Sequence, residues 1–480
     1  MTRPPRSATR SVAALGVLTL SLALAGCSSG SATTPAARVD RSDVPFNDCS
    51  KVACTGTMNG AAYEIDLPKK WNGTLLLYSH GYRQAQASPP DFSAVETTAE
   101  PAPGWPKDKQ TGQALLDKGY AIAGSAYATN GWAVADGVKA DEDLHQYFVE
   151  KVGTPDRTLV WGDSLGGLVT TVLTEKHKDW VSGSAPLCGV LAGPNKNLDL
   201  ALDVGYAIKT LIYPQLKLTG YSSVQEAIAN WEGAAKAITA SGKDVANGVP
   251  RLLMVAALVD APTQSKDQDG ATLTSKVTAY AEAVLTALGY GTFGRYDIEQ
   301  RVGGNPSQNA GVDYSTRVSP EERALIEAVS PGSTDKLLAL LAAGPRVSSD
   351  SAARDKLAAT GTPTGAFSVP MITMHTAADT LVLVQNESVY KDEHAALPGS
   401  TGDLVQLFTV APASYPVKPG APYGAGHCNF TEQSRVAVVD MLDNWVRNGV
   451  YPGSVAIATA MGDTSGYEPA YSPGPWPAGS

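Results

Sequence analysis

The sequence feature that most constrains the fold is the stretch TLVWGDSLGGLVT, residues 158–170, which carries the pattern G-x-S-x-G around Ser164. The apolar run before Ser164 is typical of a buried strand, and the segment after it has the pattern of a helix. Ser164 is therefore predicted on a sharp strand-to-helix turn, where Gly162 and Gly166 permit strained backbone angles. The pattern alone does not define a nucleophile, because residues 26–30 match it too.

The order of strand and helix patterns along the chain predicts an α/β fold. Short apolar runs such as GTLLLYSHG and FSVPMITMHTAAD alternate with helical patterns, which indicates a mostly parallel sheet with helices on both faces. Residues 195–345 instead carry helical patterns with almost no strand signal. We therefore predict a core in two parts, 46–194 and 346–461, interrupted by a helical lid at 195–345. A Pro/Gly-rich tail at 462–480 is predicted to be disordered and unpacked.

The first residues have the features of an export signal. Three arginines precede an apolar segment that is too short for a stable membrane span. The segment ends in LAGC, residues 24–27, which resembles the lipobox of bacterial lipoproteins, a family in which the cysteine is lipidated and the chain is cut just before it. We predict a signal peptide at 1–26, lipidation at Cys27 and a flexible tether over 27–45. The protein is then expected at the outer face of the cell membrane, or, if the export is ordinary secretion, outside the cell.

Composition excludes several classes of function. The formal net charge is −10 and no basic run is interleaved with aromatic residues, so nucleic acid is not an expected partner. The carboxylates show no metal-ligand spacing and no Rossmann or Walker motif occurs, so we expect neither a metal nor a cofactor. Membrane contact is expected through the lipid anchor alone, and the sequence does not encode an oligomeric state.

The cysteines predict two disulfides. Besides Cys27 the chain contains Cys49, Cys54, Cys188 and Cys428, and an even number in an exported protein favours pairing. Cys49 and Cys54 are close in sequence and would close a small loop, which leaves Cys188 with Cys428. The sequence by itself allows three pairings.

A serine nucleophile needs an adjacent base, and the base needs an acid that orients it. His427 lies in the glycine-rich segment YGAGHCNFT before the last predicted helix, and we predict that it is the base. Asp379 follows a late buried strand and is the predicted acid, although it could instead cap a helix. Asp260, within the helical insertion, is the competing acid. The chain order Ser164, Asp379, His427 is the order that the α/β-hydrolase fold uses.

These segments together make the chain similar to the α/β-hydrolase superfamily, and most similar to exported bacterial serine esterases. LLLYSHGY resembles the family's strand followed by His-Gly, HTAAD resembles the segment that carries the acid, and GHCNF resembles the loop of the catalytic histidine. A threonine in HTAAD departs from the glycine often seen after that histidine. The resemblance implies an oxyanion hole made by the backbone N–H groups of Tyr82 and Leu165, with His80 as a structural brace. It also implies that Cys188 and Cys428 lie near one edge of the active site.

The function predicted from these residues is an extracytoplasmic serine hydrolase that cleaves carboxylic esters through an acyl-enzyme. An aminopeptidase or amidase with the same three residues is the first alternative, because acids in the insertion could bind a free amine. A non-catalytic surface module on a hydrolase fold is the second. The substrate, a small-molecule or polymeric ester, is not encoded in a recognisable pattern. The acids considered for the peptidase alternative are Glu226, Glu232, Glu282 and Asp297.

Overall fold

The structure is a computed structural model that describes residues 53–89, 92–262, 272–398, 403–412, 422–477 and 479. The predicted signal peptide, the predicted lipidation site Cys27, the predicted tether and Cys49 lie outside the described residues. Within the described part of the chain, no helix has both the length and the apolar character needed to cross a membrane.

One sheet of eight strands forms the centre of the described chain. The strands are β1 Ala53–Met58, β2 Ala61–Asp66, β3 Thr74–Ser79, β4 Ala121–Ser125, β5 Arg157–Asp163, β6 Val181–Leu187, β7 Met371–Thr376 and β8 Leu404–Thr409. Their order across the sheet is β1-β2-β4-β3-β5-β6-β7-β8. The pairs β1–β2 and β2–β4 are antiparallel, and the strands from β4 to β8 pair in parallel.

The helices cover both faces of this sheet. They are α1 Gln110–Asp117, α2 Val134–Lys151, α3 Leu165–Lys176, α4 Gly193–Leu211, α5 Val224–Ser241, α6 Gly248–Leu258, α7 Leu273–Gly289, α8 Arg295–Val302, α9 Pro320–Val329, α10 Ser333–Ala343, α11 Ser351–Ala359, α12 Asn386–Ala396, α13 Glu432–Asn448 and α14 Ser454–Met461. A π-helical turn, Tyr290–Gly294, joins α7 to α8, and a 3₁₀ turn, Tyr314–Arg317, precedes α9.

Strand β3 shows why the central strands are apolar along their whole length. Leu75 and Leu77 pack with α2 and α3 on one face, whereas Leu76 and Tyr78 pack with α1 and α13 on the other. A parallel strand covered on both faces needs a continuous apolar run, and TLLLYS provides it. Strand β2 lies near the antiparallel edge and alternates buried with half-buried residues. These features confirm the predicted α/β-hydrolase fold, with a mostly parallel sheet between two helical layers.

The described chain between β6 and β7 contains helices α4 to α11 and no strand. These helices bury a separate apolar core that includes Leu252 and Leu288, so the region does not depend on the sheet for all of its packing. The sequence predicted helical structure there, and the domain boundaries at 194 and 345 remain predictions.

The end of the chain differs from the unpacked tail predicted over 462–480. Tyr467 forms a bridge with Thr409 beside strand β8, and the ring of Tyr471 lies 5.4 Å from that of Phe408. Because β8 is an edge strand, its unpaired backbone groups offer partners to a following segment. The aromatic residues among the prolines and glycines supply the apolar surface that fixes the segment there.

Candidate active site

Ser164 lies on a tight strand-to-helix turn between β5 and α3, called the elbow below. Its backbone angles, φ 59° and ψ −119°, lie in a region that L-residues rarely adopt, so the surrounding structure must hold the turn in place. A Cβ on Gly166 would lie 1.9 Å from the carbonyl oxygen of Ser79, so only glycine lets β3 and the start of α3 approach this closely. Ser164 is mostly buried, with 7% of its surface exposed.

The side chains of Ser164, His427 and Asp379 form a continuous hydrogen-bonded chain. His427 Nε2 lies 2.7 Å from Ser164 Oγ, and His427 Nδ1 lies 2.7 Å from Asp379 Oδ2. Because the carboxylate accepts the proton on Nδ1, Nε2 is left to accept the hydroxyl proton of Ser164. The three residues come from three separated segments of the chain, and the fold brings them together in the arrangement that a serine nucleophile and its base require.

The next helix, α12, begins at Asn386, so Asp379 does not have the helix-capping role that the sequence left open. Its Oδ1 atom accepts hydrogen bonds from the backbone N–H groups of Leu381 and Val382, at 2.9 and 3.0 Å. The two carboxylate oxygens therefore have different tasks, since one orders the following turn and the other holds His427. The competing acid Asp260 is not brought to His427. Its carboxylate instead accepts a hydrogen bond from the side chain of Gln385.

A second histidine, His375, lies behind Asp379. It is fully buried, with Nε2 3.6 Å from Asp379 Oδ2 and Nδ1 3.2 Å from Glu387 Oε1. Burial lowers the pKa of His375, but the close contact with Asp379, the hydrogen bond to Glu387 and the charges of both acids outweigh it and raise the pKa to about 10. The raised pKa favours the protonated form of His375, in which the Nε2–H group donates to Val382 O at 2.9 Å.

The two histidines beside Asp379 favour its ionised form. Burial raises the pKa of this carboxyl, but the electrostatic interaction and hydrogen bond with His427 and the contact with His375 outweigh it, so the pKa lies below its ordinary value. Sequence reasoning missed His375 as part of the site. Its position four residues before Asp379 in HTAAD was the available signal.

The segment after β3 passes directly over the elbow. A Cβ on Gly81 would lie 3.4 Å from Ser164 Cβ, so the backbone that continues to Tyr82 is next to the nucleophile. The N–H of Leu165 is in the first turn of α3, where no acceptor within the helix exists. Among the described residues neither this N–H nor that of Tyr82 has a hydrogen-bond acceptor. Two free donors beside Ser164 are what an oxyanion hole needs.

His80 is placed as a brace rather than as a base. Its ring stacks on Tyr127 with centroids 3.9 Å apart, and Nδ1 lies 2.6 Å from Gly81 O. The Tyr127 hydroxyl in turn donates to His80 O at 3.0 Å. These contacts fix the segment that presents Gly81 and Tyr82 to the elbow.

Two connections hold the loop that carries His427. The predicted disulfide between Cys188 and Cys428 is present, with Cα atoms 5.5 Å apart, and it ties the loop to the end of β6. Arg435 of α13 donates to both carboxylate oxygens of Asp163 at 2.7 and 2.6 Å, and to Cys428 O at 3.0 Å. Arg435 therefore links the residue before Ser164 to the residue after His427. No sequence pattern indicates this pair. The predicted Cys49–Cys54 pair stays a prediction, because Cys49 is outside the described residues.

An apolar cavity of about 110 Å³ opens beside Ser164. Ser164, Tyr82 and Leu165 all line it. Trp132 lines it too, with its indole N–H donating to Thr360 Oγ1 at 3.2 Å. The insertion supplies most of the remaining wall, and no described residue of that wall is an aspartate, glutamate, lysine, arginine or histidine.

Comparison with known proteins gives likeness of fold only. No family model and no curated protein matches the chain. Feruloyl esterase B from Aspergillus oryzae is similar at a TM-score of 0.39 and 14% identity, over 83% of this chain and 80% of that one. The rice cell wall degrading esterase LipA from Xanthomonas oryzae is similar at 0.35 and 14%, over 82% and 87%. Est1E from Butyrivibrio proteoclasticus is similar at 0.33 and 10%, over 81% and 94%. These values are too low to transfer an activity.

Proposed function

We propose that this protein is a serine hydrolase that cleaves carboxylic esters, with Ser164 as nucleophile, His427 as general base and Asp379 as the acid that orients it. The observation that carries the proposal is the chain of two 2.7 Å hydrogen bonds from Asp379 through His427 to Ser164. A serine at its ordinary pKa is a weak nucleophile, and such a chain is what activates it.

In the first half of the reaction, Ser164 Oγ attacks the carbonyl carbon of the ester while His427 Nε2 takes its proton. The carbonyl oxygen becomes an oxyanion and accepts hydrogen bonds from the N–H groups of Tyr82 and Leu165, each contributing about 3 kcal/mol to lowering the barrier. The bond to the alcohol oxygen then breaks. The alcohol leaves with the proton that His427 returns to it, and the acyl group stays on Ser164.

In the second half, a water molecule attacks the acyl-enzyme. His427 takes a proton from this water, the bond to Ser164 Oγ breaks, and His427 returns the proton to the serine. The carboxylic acid is released and the starting state is restored. Asp379 stays ionised throughout, because His375 and His427 hold its pKa low.

The composition of the cavity favours an ester over the substrate of an aminopeptidase. A free amine is a cation and needs a carboxylate beside it, but no described residue of the cavity wall carries one. Of the acids considered from the sequence, Asp297 is held by Arg301, and Glu226 bonds Lys217 at the surface. A non-catalytic module is disfavoured by the strained backbone of Ser164, which a plain structural serine would not need.

Ser164→Ala should abolish hydrolysis of p-nitrophenyl esters while the protein stays folded, because the lost hydroxyl leaves no large cavity. A fluorophosphonate probe should label the wild type at Ser164 only. Ser454→Ala, at an exposed serine on α14, is the matched control and should keep both activity and labelling. Labelling at another residue, or an active Ser164→Ala variant, would refute the proposal.

The choice of acid is tested separately. Asp379→Asn should lower kcat by orders of magnitude, because the imidazole loses its orienting partner and its counter-charge. Asp260→Asn should retain most of the activity, since Asp260 bonds Gln385 and not His427. If the two variants exchanged these results, the insertion would supply the acid.

We also propose, from the sequence alone, that the mature protein is exported and held at the membrane surface by lipid on Cys27. We expect the wild-type protein to partition into the detergent phase. The Cys27→Ser variant should either be released from the membrane or keep its signal peptide uncut. A wild-type protein that is cut elsewhere and stays in the aqueous phase would refute the anchor.

A further inference from the structure

The cavity lies on one side of the proposed catalytic residues, next to Ser164 and away from His427. Ser164 and the two residues with free N–H groups, Tyr82 and Leu165, line it, whereas His427 does not. The His427 side chain is instead 23% exposed. Because His427 must return its proton to the departing alcohol, the alcohol leaves on the exposed side. The acyl group stays on Ser164 and points the other way, into the cavity.

The walls of the cavity define the chemistry of that group. Helix α4 contributes Leu198, Ala201 and Val204, and helix α7 contributes Ala283 and Ala287. With no charged side chain among the described wall residues, a carboxylate or ammonium would lose its hydration there without gaining a partner. An alkyl chain would gain from the same walls, because each buried methylene is worth about 0.8 kcal/mol.

We propose that this cavity is the acyl pocket of the enzyme, and that its substrates are esters of uncharged alkanoic acids whose alkyl chains extend into the cavity. The inference rests on the proposed ester hydrolysis and adds the acyl preference to it. For an unchanged leaving group, kcat/KM should rise by up to about fourfold per methylene, the equivalent of 0.8 kcal/mol, until the pocket is full.

Helix α7 offers a residue that can shorten the pocket. Ala283 and Ala287 are one turn apart and both line the cavity. A large side chain at either position would therefore fill space that the alkyl chain of the substrate would occupy. Ala283 is buried, with 3% exposure, whereas Ala287 is only partly buried and tolerates a larger residue better. Ala287→Phe is therefore the test variant. Ala342→Phe, at an exposed alanine of α10, is the matched control.

The experiment measures kcat/KM for p-nitrophenyl esters from acetate to laurate. For the wild type and Ala342→Phe, kcat/KM should rise with chain length from acetate until the pocket is full. In Ala287→Phe the ratio of kcat/KM for the longer esters to that for acetate should fall tenfold or more, since about 1.4 kcal/mol corresponds to tenfold. A wild-type profile that is flat with chain length, or an equal loss on all chains in Ala287→Phe, would overturn the acyl pocket.

Two further measurements separate the possible failures. Alkylboronic acids bind serine Oγ without any leaving group, so their inhibition should strengthen with chain length in the wild type and not in Ala287→Phe. Acetate esters of long alcohols should gain nothing from their length, and a gain there in place of the acyl series would overturn the orientation. If Ser164 is labelled by a fluorophosphonate but chain length has no effect, only the acyl pocket fails. If Ser164 is unlabelled and no ester is cleaved, the ester-hydrolase proposal fails and the acyl pocket with it.

Discussion

At the scale of single residues, Asp379 lies between two histidines that have different tasks. His427 contacts Ser164, whereas His375 is buried between Asp379 and Glu387. His375 in its protonated form, which its raised pKa favours, offsets the cost of placing two carboxylates close together in the interior. It acts on the reaction only through Asp379, which makes it a positioning residue.

The raised pKa of His375 predicts how stability depends on pH. Its value in the unfolded chain is about 6.5, whereas in the folded protein it is about 10. The stabilisation from the extra proton is fully present below the lower value and is lost as the pH rises towards the higher one. Relative to His375→Gln, the wild type should lose up to about 1.4 kcal/mol of unfolding free energy per pH unit in this window. Urea unfolding at a series of pH values measures this, and parallel curves for the two proteins would contradict it.

Arg435 is a second positioning residue, because its guanidinium bridges Asp163 and Cys428. Arg435→Lys keeps the charge but cannot form this fork, so His427 should be held less well relative to Ser164. We expect kcat to fall about tenfold, which corresponds to about 1.4 kcal/mol, with little change in KM. Arg447→Lys is the control on the same helix. Arg447 is half exposed, and its contact with Asp443 is a long one, at 3.8 Å. Equal kcat for the two variants would show that the fork has no role in catalysis.

At the scale of elements, the glycine-rich loop before α13 depends on a covalent link to β6. The Cys188–Cys428 disulfide closes 240 residues of chain and lies next to the base, with Cys428 Sγ 3.4 Å from His427 Nε2. Its constraint on the unfolded chain contributes roughly 3 to 5 kcal/mol. Hydrogen bonds join Gly426 of this loop to Thr376 and Ala378 beside β7, so loss of the disulfide should disturb the loop at Cys428 without unfolding the core.

Reduction should therefore lower activity before the sheet unfolds. We expect the double variant Cys188→Ser/Cys428→Ser to have a reduced kcat and a lower Tm, with retained circular dichroism at room temperature. Titration with a reductant, followed by activity and by far-ultraviolet circular dichroism in parallel, measures the order of the two events. Coincident loss of activity and secondary structure would contradict the expectation.

At the scale of the whole molecule, the helical insertion is fastened to the sheet by a polar contact at the cavity. Asp297 of α8 accepts the backbone N–H of Trp132 at 2.8 Å, and Arg301 holds the same carboxylate at 2.8 Å. Arg301 also donates to Asn130 O in the same loop. Since Trp132 lines the cavity, this contact sets the shape of one wall.

Arg301→Gln should loosen that wall. We expect KM for medium-chain esters to rise several-fold, and the unfolding free energy to fall by about 1 to 3 kcal/mol because buried Asp297 loses its charged partner. Hydrogen exchange should become faster at residues 129–132. Arg323→Gln is the control, because the partner Asp335 is 83% exposed and such pairs contribute little. Equal effects of the two variants on KM would mean that the contact does not shape the cavity.

Much of this architecture follows from local patterns. The apolar run before Ser164 and the glycines around it are sufficient to predict a strand, an elbow and a helix, because backbone strain and burial on two faces allow few other residues there. The segments that carry Asp379 and His427 were predicted in the same way, from their positions after a buried strand and before the last helix. The helical character of the insertion followed from its periodicity.

Contacts between residues that are far apart in the sequence are visible only in the tertiary structure. Sequence order could not choose between Asp379 and Asp260 by geometry, and it gave no reason to pair Arg435 with Asp163, which is 272 residues away. It also missed the packing of Tyr467 on the edge of β8, since a Pro/Gly-rich composition hides the few aromatic residues that matter. The strand, the elbow and the helix around Ser164 depend on the backbone preferences of neighbouring residues, so they can be predicted from the sequence. The charge on His375, the fork of Arg435 and the shape of the cavity depend on which side chains folding brings together.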